Sequence, residues 1–167
     1  MNEILIKSTT DFFEKTFNSD ADKVVLSPGR INIIGEHIDY NDGFVLPAAI
    51  DKIICFAFEK NNSNTAIIHA IDLNESVAIE VTKEAVLSEV VWTNYLRGVL
   101  FQLKLKGYKI GGFNCVFSSN IPAGSGLSSS AALECGFLFG INEIFNLGIK
   151  IPVILSQSWV VLLPRLL

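Results

Sequence analysis

The segment GGFNCVFSSNIPAGSGLSSSAALECGFLFGINEIFNLG, residues 111–148, constrains the fold of this chain more than any other. Phe113, Cys115 and Phe117 alternate against Asn114 and Val116, which is the period of a strand with one better-buried face. A proline–glycine loop follows, then a long apolar run closed by Gly148 that reads as a helix. Strand, glycine loop and helix in that order make the usual frame of a phosphate site. The first amides of a helix lack intrahelical partners, and the dipole is positive there. Gly124 and Gly126 let the backbone turn and approach a ligand, while Ser128, Ser129 and Ser130 stand where the helix should begin. Several N–H groups would then point one way, and serine hydroxyls can add hydrogen bonds or ligate Mg2+, so the chemistry suits a polyphosphate. The plainer alternative is an ordinary N-cap after a glycine turn.

Spacing removes the common nucleotide and hydrolase motifs. No Gly-Lys pair occurs, so there is no Walker lysine, and Ser129 occupies the third position of G-x-G-x-x-G. The serines lack the G-x-S-x-G frame, and His37 and His69 are the only bases a serine triad could recruit.

A second dense stretch, SPGRINIIGEHIDYNDGFVLPAAID, spans Ser27–Asp51. Glu36, His37 and Asp39 fall within four residues, and together they can bond several hydroxyls of a polyol at once. A sugar is a natural ligand for such a set, since a substrate lacking a matching hydroxyl leaves buried groups unpaired at about 1–3 kcal/mol each. Arg30 keeps its proton and suits charge developing on a transferring phosphoryl group. The alternative for Arg30 and the acids is a surface ion-pair cluster. Asn41, Asp42 and Gly43 read as a turn.

The rest of the chain fits one globular domain of 167 residues, half of them hydrophobic and 18% charged. A net charge of -4 with scattered Lys and Arg argues against nucleic-acid binding. Cys55, Cys115 and Cys135 are widely spaced and odd in number, which fits reduced buried thiols in a cytoplasmic protein. Charges interrupt the N-terminus, leaving no signal-peptide core, and no run approaches the roughly 18 apolar residues of a membrane span.

Coarse patterning gives an amphipathic helix ending near Asn18, a strand KVVLS running into Pro28 and Gly29, and three strands IICFAFE, TAIIHAI and SVAIEVT expected as an antiparallel meander. WTNYLRGVLFQLKLKG reads as a helix stopping at Gly107, with Trp92 and Tyr95 as large aromatics on it. For His69, inside a strand pattern, a structural role is expected.

Three segments, in order and spacing, resemble one family. GRINIIGEHIDYNDGFVLPAAI looks like the galactokinase signature. PAGSGLSSSAALE is similar to the ATP-binding motif of the superfamily of galactokinase, homoserine kinase, mevalonate kinase and phosphomevalonate kinase, the GHMP kinases. WTNYLRGV resembles a third galactokinase segment. The resemblance covers about residues 8–150. It implies an α/β (α+β) fold, the GHMP-kinase N-terminal domain with an S5-like sheet and helices packed on one side. It implies galactose on Glu36, His37, Ile38 and Asp39, and Arg30 stabilising the transition state. ATP phosphates fall to Gly124, Ser125, Gly126, Leu127, Ser128, Ser129 and Ser130, with Ser130 the Mg2+ ligand. Trp92 and Tyr95 match a segment near the nucleotide, or serve as core.

The pattern breaks after Gly148. The family continues with Q-x-x-E-N-x-F-V-G and G-I-M-D-Q, which supply a Mg2+-holding glutamate and the catalytic aspartate, whereas this chain reads LSQSWVVLLPRLL, with no acid beyond Gln157. A domain of residues 1–157 with an atypical tail of 158–167, as a truncation or frameshift would leave, is the expectation. The resemblance thus implies phosphoryl transfer from ATP to the C1 hydroxyl of α-D-galactose, impaired in this chain. The alternatives are a galactose- and ATP-binding sensor, or a kinase for another sugar such as N-acetylgalactosamine. The intact serines favour the kinase over the sensor.

Overall fold

The structure, a computed structural model, describes residues 2–34, 46–83, 86–122 and 127–150. In chain order the elements are α1 (Asn2–Phe17), β1 (Lys23–Ile34), β2 (Leu46–Lys60), β3 (Thr65–Ala70), a 3-10 turn (Ile71–Leu73), β4 (Glu75–Glu80), α2 (Val91–Leu105), β5 (Phe113–Ser119) and α3 (Ser129–Phe145). The first two long helices carry the expected stop signals, Asn18 and Gly107 at positive φ with Tyr108 N–H donating back to Leu103 O, whereas α3 ends before the expected Gly148, with Asn146 as its positive-φ cap.

The five strands form one mixed sheet in the order β1-β2-β5-β3-β4. The β3–β4 hairpin is antiparallel as the alternation suggests, but the meander is not formed: β5 lies between β2 and β3, antiparallel to the first and parallel to the second. The reason is burial on two faces. Phe113, Cys115 and Phe117 join the main core beneath α2 and α3, while Val116 on the opposite face packs with Phe13 of α1 and Ala57 of β2. A strand apolar on both sides takes the centre of a sheet. The same fact places the helices: α2 and α3 lie on one face as expected, and α1 takes the other, where Thr9 and Phe13 are fully buried.

β1 is longer than KVVLS suggests and runs on through Pro28 and Gly29 to Ile34. Pro28 is tolerated because β1 is an edge strand, and the register shifts between Pro28 and Arg30 and again between Asn32 and Ile34. Beyond those shifts the hairpin carries exposed apolar side chains at Ile33, Ile34 and Leu46. Residues 151–167 fall outside the described residues, and the expected boundary after Gln157 with them.

α3 sits unusually close to the sheet because it presents glycines. A Cβ on Gly136 would meet Phe56 at 2.5 Å and Ser27 at 2.6 Å, and one on Gly140 would overlap the Phe58 ring. Ser27 Oγ, buried in β1, donates to Ala132 O at 2.7 Å and ties the helix to that strand. These contacts hold the start of α3 beside the register shift of β1.

Candidate functional site

At this junction a cavity of about 370 Å³ opens between β1, β2 and α3. It is lined by Ser27, Pro28, Gly29 and Arg30, by Pro47, Ala48 and Ala49, and by Ser128, Ala131, Ala132 and Cys135. The walls are mostly small and apolar, with a guanidinium and a hydroxyl converging on them, the common make-up of a small-molecule site. Among the described residues no carboxylate lines it.

Arg30 is placed by its backbone. Its N–H donates to Leu127 O at 3.2 Å, so β1 and the residue leading into α3 are joined directly. That bond requires glycine before it, since a Cβ at Gly29 would come within 3.0 Å of Leu127 O and 3.2–3.3 Å of Ile50 and Ile121. The Arg30 Nε is buried and has no hydrogen-bond partner among the described residues. The residue as a whole lines the cavity, and a guanidinium there can offer donors to an anion.

The start of α3 is likewise open. Ser128 is its N-cap residue, in the left-handed region at φ 53°, yet its side chain makes no capping bond. An ordinary Ser cap spends its oxygen on the N2 or N3 amide; here that bond is not made, and Ser129 and Ser130 are exposed. The ordinary N-cap alternative therefore does not describe this helix. Leu127 thus bonds to Arg30 and Ser128 lines the same cavity, whereas Ser129 and Ser130 are not among its lining residues. Gly124, Ser125 and Gly126 lie outside the described residues, as do Glu36, His37, Ile38 and Asp39.

Sequence reasoning passed over Glu134. It is 4% exposed on α3, its Oε2 has no partner, and burial pushes its carboxyl up to about 7. Its neighbour Cys135, on the cavity wall, is raised by burial and by the Glu134 charge and lowered by Arg30. The only signal in the sequence was an acid inside an apolar helical run. Trp92 has a packing role: its ring meets Phe117 edge-on at 5.5 Å and its Nε1–H donates to Glu75. His69 rests against Phe12 and Phe17, with burial lowering its pKa, as a structural residue would. Among the described residues Cys55, Cys115 and Cys135 form no disulfide, and the first two are buried. The described residues hold no cluster of three or more metal-ligating His, Cys, Asp or Glu, and no helix among them is long and apolar enough to cross a membrane.

Comparison with known proteins agrees with this geometry. The galactokinase galactose-binding signature matches residues 11–60, and the GHMP kinases N terminal domain matches residues 94–157. The galactokinase of Glaesserella parasuis is 41% identical over 143 residues, covering 85% of this chain and 37% of the relative. That of Thermotoga maritima is 43% identical over 128 residues, 77% of this chain and 34% of the relative. The chain thus spans little more than a third of the length of these relatives. Among solved structures, Lactococcus lactis galactokinase complexed with galactose superposes with a TM-score of 0.81 at 32% identity, over 92% of this chain and 40% of that one. Methanococcus jannaschii mevalonate kinase shares the fold, with a TM-score of 0.65 at 20% identity over 83% of this chain and 46% of that one. With both signatures falling on the β1 and α3 segments that meet at the cavity, the chain belongs to the galactokinase family of GHMP kinases and carries its N-terminal portion.

Proposed function

We propose that this chain carries the sugar- and phosphate-binding part of a galactokinase, which transfers the γ-phosphate of ATP to the C1 hydroxyl of α-D-galactose. The observation that supports this most is that Arg30, whose Nε has no partner among the described residues, lines the same cavity as Ser128 at the uncapped start of α3. Phosphoryl transfer needs little covalent help from a protein and much positioning and charge stabilisation. Arg30 supplies a fixed positive charge, and the first amides of α3, with the glycine segment Gly124–Leu127 before them, supply donors for phosphate oxygens. The hydroxyls available at the helix start are hard oxygen donors, so Ser130 fits a Mg2+ held jointly with ATP phosphates; bound there, the ion would neutralise phosphate charge. Glu36, His37, Ile38 and Asp39 take the galactose hydroxyls. Cytoplasmic residence, where ATP and free galactose meet, belongs to the same reading.

The test is titration calorimetry of the 167-residue chain with galactose, with glucose, and with Mg-ATP, followed by a coupled ADP-release assay. Galactose should bind and glucose should not, and Arg30→Ala should weaken Mg-ATP binding while sparing galactose. Any galactose-dependent ADP release should fall about 100-fold or more in that variant. A chain that binds neither galactose nor Mg-ATP would overturn the reading.

A further inference from the structure

Asn120 stands where β5 leaves the sheet and the glycine segment begins. Antiparallel pairing sets Ser119 opposite Ile54, so the next rung would join Asn120 to Ile53. Backbone makes half of that rung: Asn120 N–H donates to Ile53 O at 3.1 Å. The return bond goes elsewhere, because Ile53 N–H donates to the side-chain Oδ1 of Asn120 at 2.7 Å. The side chain has taken the place of its own backbone carbonyl. That substitution frees the chain to turn out of the ladder at Ile121 while the Ile53 amide stays satisfied, and with Ile53 only 6% exposed the amide has little water to fall back on.

The neighbours reinforce the exit point. Ser119 N–H donates to the Asp72 carboxylate at 2.6 Å, Ile121 N–H donates to Ser119 Oγ at 3.0 Å, and Asn120 Nδ2 donates to Asn2 of α1 at 3.3 Å. On the far side of the segment, Leu127 O accepts from Arg30 N–H at 3.2 Å. Asn120 is therefore tied to β2 and Leu127 to β1, and β1 and β2 are paired through Pro28 and Ile53.

We infer that Asn120 is a positioning residue for phosphate binding: its side-chain rung with Ile53 sets where the glycine segment departs and so holds Leu127 in register with Arg30. This rests on the nucleotide role proposed above. The chemistry asks for an acceptor two bonds from Cβ; alanine has none, glutamine is one methylene too long, and aspartate keeps it.

The experiment compares Asn120→Ala, Asn120→Asp and the core variant Val99→Ala, whose side chain lies in α2 away from the cavity. Two quantities are read, the hydrogen-exchange rate of the Arg30 amide and the affinity for Mg-ATP. Asn120→Ala should speed Arg30 exchange and weaken Mg-ATP about tenfold each, with galactose affinity within about twofold. Asn120→Asp should stay within about threefold of the parent on both, and Val99→Ala should lower the melting temperature without moving either. Should Asn120→Ala fail to fold, Asn120→Gln is expected to show the same changes. Unchanged Arg30 exchange in the folded variant, or an equal change in Val99→Ala, would overturn the inference. If the parent chain binds neither galactose nor Mg-ATP the kinase reading fails, and Arg30 exchange still decides the role of Asn120.

Discussion

The amide of Arg30 donates to the carbonyl of Leu127, 97 positions later in the sequence, and this 3.2 Å bond joins two distant motifs. The arginine comes from the edge strand and the carbonyl from the residue leading into α3. Neither can shift without the other, because Ser27 Oγ holds Ala132 O one helical turn further on.

Gly29→Ala should separate the two. The added methyl would sit 3.0 Å from Leu127 O, which is backbone and cannot swing aside, although the ends of Ile50 and Ile121 can. We expect a loss of about 1–2 kcal/mol in urea unfolding and weaker Mg-ATP binding, with galactose binding nearly unchanged. Wild-type nucleotide affinity in this variant would show that the Leu127 contact is not needed.

Arg30→Lys should not rescue Arg30→Ala. A lysine retains the charge but not the fork of donors, and the buried position at issue is Nε, close to the backbone where a lysine has only methylene. Nucleotide affinity measured by calorimetry should be nearer to that of the alanine variant than to wild type, with little change in melting temperature.

Glu134 should make stability fall as pH rises. An unfolded glutamate loses its proton near 4.5, while the folded one keeps it to about 7, so between those values the unfolded state holds fewer protons and gains on the folded one. The contribution is fully present below about 4.5 and is lost as pH passes 7, by at most about 3 kcal/mol. Glu134→Gln should flatten this part of the profile in urea midpoints taken from pH 4.5 to 8. A parent profile already flat over that range would mean the carboxyl has a partner in solution.

How far these features were legible in the sequence follows from their range. The strand Phe113–Ser119, the helix Ser129–Phe145 and the helix stops at Asn18 and Gly107 are local, and period and glycine chemistry reveal them. The insertion of β5 between β2 and β3 was not legible, since it depends on Val116 meeting Phe13 from a helix about 100 residues earlier. The extension of β1 past Pro28 was hidden for a related reason: proline reads as a strand end, and only its edge position makes it harmless. Arg30 and the serines were recognisable by chemical type. Asn120 and Asn142 were not, because each looks like a loop or helix residue until its partner is known. Asn142 donates to Ile149 O at 3.3 Å and accepts from Ile149 N–H at 2.8 Å, so it too uses a side-chain amide in place of a backbone partner.

Two glycine-to-alanine changes in or near α3 should differ by mechanism. Gly148 has φ 71° and open space around its missing Cβ, so alanine there meets only backbone strain, about 1 kcal/mol. Gly140 is helical and would gain helix propensity, yet its new methyl would overlap the Phe58 ring. Phe58 is fully buried and packs against Phe56, Phe113 and Phe137, so it has no empty space to turn into. The helix must then lift from β2, and the lift carries the Ser27–Ala132 bond and the cavity wall with it. We expect Gly140→Ala to lose about 3 kcal/mol or more in urea unfolding. Phe58→Leu should recover part of that loss when combined with it, although the same change alone destabilises. Simple addition of the two losses would show that α3 does not rest on Phe58 through Gly140.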